Sequence, residues 1–536
     1  MAATRDADVV VIGAGPAGLT TAAYLAAAGR RVVVVEARDV PGGHMSSFTH
    51  GGYEFDVGLH YTPDLPVRRA LEPLGVPLRL KEYDPDQMFR LLLPGADVPV
   101  PRGADRFRAE LAQRFPGERD AVDAFLSTMR AIAAQVGAMP ERPRLRDLPA
   151  MPWQLRDVLR RSRSTLGGYL DDLHASPRLS TVLGFLHGVF AVPPSRLSLV
   201  AYAITFSRYL EGAVYPEGGS GPISEALADA VRRGGGELLL GTEVTRVQVQ
   251  MGRVRGVRVA PASFDTAAEG AYDVWAPTVV SAADLKHTVL DLLPPDVVPG
   301  RTARRVRAFE MALPLAVTYL VLDRDLRAEG FPATVPLVDE SADVESAYAA
   351  VRAGGLPQRG FMGLSLASLI DPENSRLCRP GQTNLQLITV VPAGHRFWGV
   401  APGSGPTPRY LARKREVRDR LVAAAERFVP GLGSSIVFEE TATPVTEERF
   451  MRVSGGTSYG IAFTPEQVFS RPGPTTPVGG LFLAGASTRS GHGLAGTLTG
   501  GVAAAAAVLR VPTRELLART AERAAAASTD AVRAAR

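Results

Sequence analysis

The run Val9-Val10-Val11-Ile12-Gly13-Ala14-Gly15-Pro16-Ala17-Gly18 confines the start of this chain to very few folds. A short apolar stretch leads into G-x-G-x-x-G and a small-residue helix follows. A second apolar run, Val32-Val33-Val34-Val35, then ends on Glu36. This is the pattern of a dinucleotide-binding βαβ unit. Gly13 allows the tight turn, Gly15 lets the backbone approach a pyrophosphate, and Gly18 lets the helix pack closely on the strand. Ala14, Pro16 and Ala17 complete the candidate phosphate loop, whose helix N-terminus offers free N–H groups and partial positive charge. Glu36, with Ala37 beside it, lies eighteen residues past Gly18 and is placed to accept from a ribose. The glycines alone would also suit an ordinary turn; the two strands and the spaced acid carry the dinucleotide reading.

At 536 residues the chain is too long for one simple core. Its 46% hydrophobic and 21% charged residues are ordinary for a globular protein, and a formal charge of +5 gives no argument for nucleic acid. Cys378 is the only cysteine, which excludes an intrachain disulfide, a C-x-x-C centre and a thiolate zinc site. The start of the chain lacks the features of a signal peptide, and no apolar run reaches the ~18 residues of a membrane span. The cytoplasm is the default expectation.

Pattern changes divide the chain. Residues 1–75 read as the first part of a nucleotide-binding domain and 76–214 as a largely helical substrate domain, with Pro-rich joints such as Met139-Pro140-Glu141-Arg142-Pro143. Glu118 to Val136, Leu179–Val192 and Leu199–Leu210 are the helix candidates there. Residues 215–300 return to strand alternation and read as the second nucleotide-binding part, and 301–440 as an α+β part of the substrate domain. Residues 441–512 close the nucleotide-binding domain, ending in a glycine loop and a helix expected from about Leu498. An Ala/Arg-rich tail, 513–536, follows. The expected fold class is α/β: a Rossmann-type domain built from discontinuous segments, with an inserted α+β substrate domain.

Two further glycine motifs stand out. Pro41-Gly42-Gly43-His44-Met45-Ser46, followed by Phe55-Asp56-Val57-Gly58-Leu59-His60-Tyr61, removes two β-carbons where backbone could lie against a flat ligand. Gly485-Ala486-Ser487-Thr488 precedes Gly491-His492-Gly493-Leu494-Ala495-Gly496-Thr497, whose N–H groups could face negative charge on a cofactor. A structural turn and an ordinary capped helix explain the same residues.

These motifs, with Val192-Pro193-Pro194-Ser195 and Tyr215-Pro216-Glu217-Gly218-Gly219, resemble the FAD-dependent phytoene desaturase, carotenoid isomerase and retinol saturase superfamily. That superfamily lies within the wider flavin amine oxidase-like clan. The resemblance spans nearly the whole chain and implies FAD as cofactor. It implies that Gly13, Gly15 and Gly18 cradle the pyrophosphate and Glu36 binds the adenosine ribose. Gly42, Gly43, His44 and Met45 would run toward the isoalloxazine, joined by Gly58, Leu59 and His60. Val244 would meet the adenine through its backbone. Gly485 and Ala486 would approach the ribityl chain, and Leu494, Ala495 and Thr497 the flavin ring. Two departures stand out: many clan members carry Arg or Lys where His44 stands, and others an acid at Ala486.

A single dinucleotide fingerprint favours oxygen, a quinone or another soluble electron acceptor over NAD(P)H. The stretch Phe309–Val317, where amine oxidases of the clan often carry a lysine, has none. No metal site is read from the eight histidines, and no G-x-S-x-G elbow is present. His44, His60 and His492 are the candidate catalytic side chains, with Glu217 and Arg489 nearby in the same reasoning; for each, a structural or cofactor-orienting role is the first reading. The expected reaction is FAD-dependent oxidoreduction at C–C/C=C bonds of a long apolar isoprenoid or polyene, by hydride transfer with flavin N5. Desaturation comes first, then saturation or cis–trans isomerisation. The alternatives are an amine oxidase-like dehydrogenase of a smaller natural product and a non-catalytic FAD-binding scaffold. The apolar helices suit either a polyene tunnel or plain core. The basic stretch Trp153–Arg163 suits either a peripheral membrane surface or water.

Overall fold

Continuous apolar runs in two early strands, Val9–Ile12 and Val32–Val35, set the architecture. In the computed structural model, which describes residues 5–139, 149–262, 270–341 and 343–534, Val9, Val11, Val32 and Val34 face a helical layer. Val10, Ile12, Val33 and Val35 face a second sheet. Burial on both sides is what a continuous valine run in a parallel sheet requires. That sheet has five strands in the order Glu237–Leu239, Val32–Val35, Val9–Ile12, Thr278–Ser281 and Leu481–Leu483, all parallel. Its helical layer is Pro16–Ala27, Gly221–Arg233 and Gly493–Leu509. The other face is covered by four strands, Arg5–Asp6, Tyr272–Trp275, Arg253–Pro261 and Thr242–Gln250. The fold is thus α/β with a Rossmann-type sheet assembled from distant pieces of chain.

A seven-stranded sheet forms the floor of the second region, in the order Ile436–Ala442, Leu315–Leu322, Thr383–Val390, Phe361–Ser365, Val335–Asp339, Phe89–Leu93 and Ala96–Val100. Its last two strands come from the segment expected to be largely helical. The missed signal is local: Pro94-Gly95 between two apolar runs makes a tight hairpin, with Gly95 at φ +66°. Helices Arg119–Gly137 and Leu199–Leu210 pack together above this sheet through Phe125, Met129, Tyr202 and Phe206. The helix expected over Leu179–Val192 is broken at Gly184 into Pro177–Leu183 and a 3₁₀ segment, Phe185–Val189. The tail forms a helix, Thr513–Ala534, that seats Leu516 in the core beside the nucleotide sheet. The Pro-rich joint at 140–143 lies outside the described residues.

Candidate functional site

The strand Val9–Ile12 delivers the chain to Gly13, whose φ of +94° makes the turn. The helix Pro16–Ala27 then starts with no side chain capping its first N–H groups, so those donors are left for a ligand. A β-carbon on Gly15 would meet nothing within 4 Å; it would stand in an open cavity. Gly13, Gly15, Pro16 and Ala17 are on that cavity's wall. Ala14 and Gly18 stand behind it. The Ala14 N–H donates to Glu36 Oε2 at 2.7 Å, and a β-carbon on Gly18 would collide with the Gly13 carbonyl oxygen. Glu36 Oε1 accepts from the Arg38 N–H at 2.9 Å, which fixes the carboxylate at the cavity edge beside Ala37. Val244 reaches the same wall where the strand Thr242–Gln250 bulges between Val244 and Arg246.

The Gly42-Gly43 pair has a different job from the one expected. Gly42 is off the cavity: its N–H donates to the Ala14 carbonyl at 2.8 Å, and a β-carbon there would run into Ser224. A β-carbon on Gly43 would sit 3.2 Å from Gly15 Cα. The two glycines therefore let one loop lie on another, and Gly43, His44 and Met45 are presented to the cavity as a result. His44 Nε2 pairs with Glu447 Oε2 at 2.8 Å. A cation is nonetheless supplied here, by Arg38. Its guanidinium donates to the Gly43 carbonyl at 3.2 Å and to Ser46 Oγ at 2.9 Å. Burial lowers the Arg38 pKa, while Glu36, Glu447 and Asp39 favour its charge. Sequence reasoning missed Arg38, although it sits two residues past the acidic strand tip.

At the other end the helix starts at Gly493, five residues before the expected Leu498, with no side-chain cap at His492. Leu494 and Thr497 thus lie in its first turns, on the cavity wall with Gly485 and Ala486. Ser487, which the sequence reading passed over, is on this wall beside Ala486, whose carbonyl accepts from buried Arg471.

A second cavity adjoins the first. Gly58, Leu59, Tyr459, Gly493 and Leu494 belong to both walls. His60 and Ala495, expected to contact cofactor, line only the second. Its lining is chiefly apolar, including Phe185, Phe190, Ile204, Phe361 and Ile388. His492 is boxed by Tyr459, Phe463 and Phe190, with ring centroids at 4.6, 5.2 and 5.5 Å. His60 Nδ1 and His492 Nε2 are buried with no hydrogen-bond partner among the described residues. Burial pulls the pKa of His60 down to about 4, and that of His492 to about 3 with help from the Arg471 charge. His187, also on this wall and bonded to the Tyr348 hydroxyl at 3.0 Å, is pulled down to about 3. All three are neutral at pH 7.

Arg489 is on the second cavity's wall, but Glu217 is on neither; it pairs at the surface with Arg79 at 3.4 Å and Lys81 at 3.8 Å. The PEGG segment is structural. Asp56 accepts from the Tyr215 hydroxyl, and from Ser220 N–H and Oγ at 2.8 and 2.5 Å, which ties it to the loop carrying Gly58. Lys286 and Lys414 also lie off both walls. Among the described residues no cluster of His, Cys, Asp or Glu is arranged to hold a metal ion.

The first cavity fits FAD by its bare backbone at Gly15, its two uncapped helix N-termini and the fixed Glu36 carboxylate. Comparison with known proteins agrees. The family model described as flavin containing amine oxidoreductase matches residues 16–509. The chain is 25% identical to all-trans-retinol 13,14-reductase from Macaca fascicularis, over 94% of this chain and 85% of that one. It is 26% identical to chloroplastic prolycopene isomerase from Arabidopsis thaliana, over 92% and 81%. Among solved structures it resembles a putrescine oxidase, with TM-score 0.64, 18% identity and coverage of 95% and 100%. It also resembles cyclohexylamine oxidase from Brevibacterium oxydans, with TM-score 0.60, 18% identity and coverage of 94% and 99%. The cofactor is FAD, and the chain belongs to the flavin-containing amine oxidoreductase family.

Proposed function

We propose that this flavoenzyme acts on C–C/C=C bonds of a long apolar isoprenoid or polyene. The observation that carries the reading is the second cavity: large, chiefly apolar, and joined to the cofactor cavity through Leu59, Tyr459 and Leu494. Relatives named for a retinol reductase and a carotenoid isomerase support the same substrate class. The amine alternative fits less well. No lysine stands on the wall, and the stretch Phe309–Val317, where amine oxidases of the clan often carry one, has none.

FAD, when bound, supplies the two-electron hydride chemistry. The residues around it position and dry the reacting bond. Leu59 and Leu494 would hold an apolar chain where the two cavities meet, and the Phe190–Phe463–Tyr459 box around His492 excludes water. With His60 and His492 neutral, neither is a cationic acid at neutral pH. Their unpartnered ring nitrogens suit orienting a polar atom of ligand. His44, held by Glu447, serves cofactor placement in this reading. One dinucleotide turn supports oxygen, a quinone or another soluble acceptor as electron partner.

The decisive experiment is anaerobic titration of the holoenzyme with carotenes, retinol and amines while flavin absorbance is followed. Bleaching by a polyene, or reoxidation of pre-reduced enzyme by one, is expected; a response to amines alone would sink the proposal. We further propose that the enzyme draws such a substrate from an anionic membrane surface through the helices Met151–Gln154 and Arg156–Arg161. Trp153 there is 79% exposed and Leu159 54%, beside Arg156 and Arg160. Flotation with phosphatidylserine vesicles, lost in W153S, tests it; a protein that stays in the aqueous fraction refutes it.

A further inference from the structure

Arg471 is buried, with 1% of its surface exposed. Its guanidinium donates to three backbone carbonyls: Thr488 from Nε at 2.9 Å, Ile461 from Nη1 at 2.6 Å, and Ala486 from Nη2. Its Cζ lies 4.0 Å from the centroid of the Phe463 ring. Among the described residues no carboxylate pairs with it. Arg38, the other cation bonded to backbone beside the cofactor cavity, has Glu36, Glu447 and Asp39 to offset its charge. Bracing three carbonyls needs donors, and a net charge without a counter-ion is costly to bury. Burial lowers the Arg471 pKa to about 9, so the cation persists at pH 7.

The place of this charge says what it can serve. Ala486 and Ser487 line the cofactor cavity, as do Tyr459 and Gly460 just before Ile461. Phe463 and His492 line the second cavity, and the Arg471 charge reaches His492. The guanidinium therefore stands directly behind the seam where the substrate cavity opens onto the cofactor cavity. The reacting ring of bound FAD belongs at that seam. Two electrons and one proton taken up by the ring leave it with one negative charge. A fixed cation behind a wall that excludes water favours that state.

We propose that Arg471, acting through the wall it braces, raises the reduction potential of bound FAD by favouring the reduced, singly negative ring. It is a positioning residue, since it touches neither cavity. The inference rests on FAD binding and not on the substrate, so failure of the polyene reading leaves it standing. The midpoint potential of the holoenzyme is measured by anaerobic reduction against a redox dye, with no substrate present. R471Q keeps amide donors and loses the charge. It should shift the reduced-to-oxidised ratio at least about tenfold toward oxidised flavin, a drop of about 30 mV for two electrons. R471K keeps the charge and loses the donor fork, and should stay within about threefold of wild type even where its melting temperature falls as far as that of R471Q. An unchanged potential in R471Q overturns the proposal. So does a drop in R471K equal to that in R471Q, which would make packing and not charge the cause. An equal drop in R489Q, an exposed guanidinium on the second cavity's wall, overturns it too. If R471Q binds no flavin, the wild-type enzyme decides. Its reduced form should keep the spectrum of the anionic ring from about pH 8 to 5.5, because a nearby cation favours the deprotonated state. Conversion to the neutral ring's spectrum within that range overturns the proposal.

Discussion

The two cavities share Leu59, Tyr459 and Leu494 yet are built on opposite plans. The cofactor cavity is walled in part by glycine-rich turns and a helix start: Gly13, Gly15, Gly43, Gly485 and Gly493. Its chemistry lies in oriented N–H groups and a few fixed charges, Glu36 and Arg38 among them. The second cavity is walled by side chains from many segments, mostly apolar, and its histidines are held neutral. A backbone site tolerates little change, because a β-carbon displaces main chain. A side-chain site can be reshaped one residue at a time, which suits a fold whose members share a cofactor and differ in substrate.

The contrast can be broken most severely at Gly18. G18V forces a side chain into the Gly13 carbonyl and should cost about 4 kcal/mol or more, abolishing the folded flavoprotein. G15A, whose methyl meets only cavity, should melt within about 1 kcal/mol of wild type yet bind FAD about tenfold more weakly. Full FAD affinity in G15A would show that the bare backbone is not a contact. Thermal melts and flavin absorbance read both.

Acid should act through the second cavity. His60, His187 and His492 have pKa values below that of an unfolded histidine, so the unfolded chain takes up protons first as pH falls. Their stabilising contribution is fully present above about pH 6.5 and is lost as pH drops toward 3–4, by up to ~1.4 kcal/mol per pH unit for each group. H492F, which keeps the aromatic box filled, should flatten the fall in melting temperature between pH 6.5 and 4; an unchanged slope would contradict the assignment.

The smallest effect sharpens the division of labour. I204W fills cavity space without touching the cofactor wall. It should weaken polyene binding at least about tenfold while flavin content stays the same. Loss of flavin in this variant would mean the cavities are not separable.

The cofactor half was legible because its motifs are contiguous and each glycine answers a local steric demand. Even there the reason was partly wrong for Gly42, whose missing β-carbon makes room for Ser224, a residue far along the chain. Glu217, named as a neighbour of the candidate catalytic histidines, belongs to a loop that closes on Asp56 and Asp371. The second cavity was barely legible. In the helix Leu199–Leu210, Tyr202 and Phe206 enter the core while Ala201 and Ile204 face the chamber, and both faces are apolar in sequence. The strands Phe89–Leu93 and Ala96–Val100 were hidden in a segment dominated by helical patterning, despite the Pro94-Gly95 hairpin between them.

By itself the sequence determined a glycine turn, the acid at the tip of the second strand and the continuous valine runs that bury a parallel sheet. Those depend on short-range sterics and on strands whose two faces are both apolar. Only the tertiary structure decided which apolar residues wall a chamber and which fill a core. It also decided that His60 Nδ1 and His492 Nε2 are buried without a hydrogen-bond partner among the described residues. Solvation and pairing are properties of what surrounds a side chain, and those surroundings come from segments hundreds of residues away.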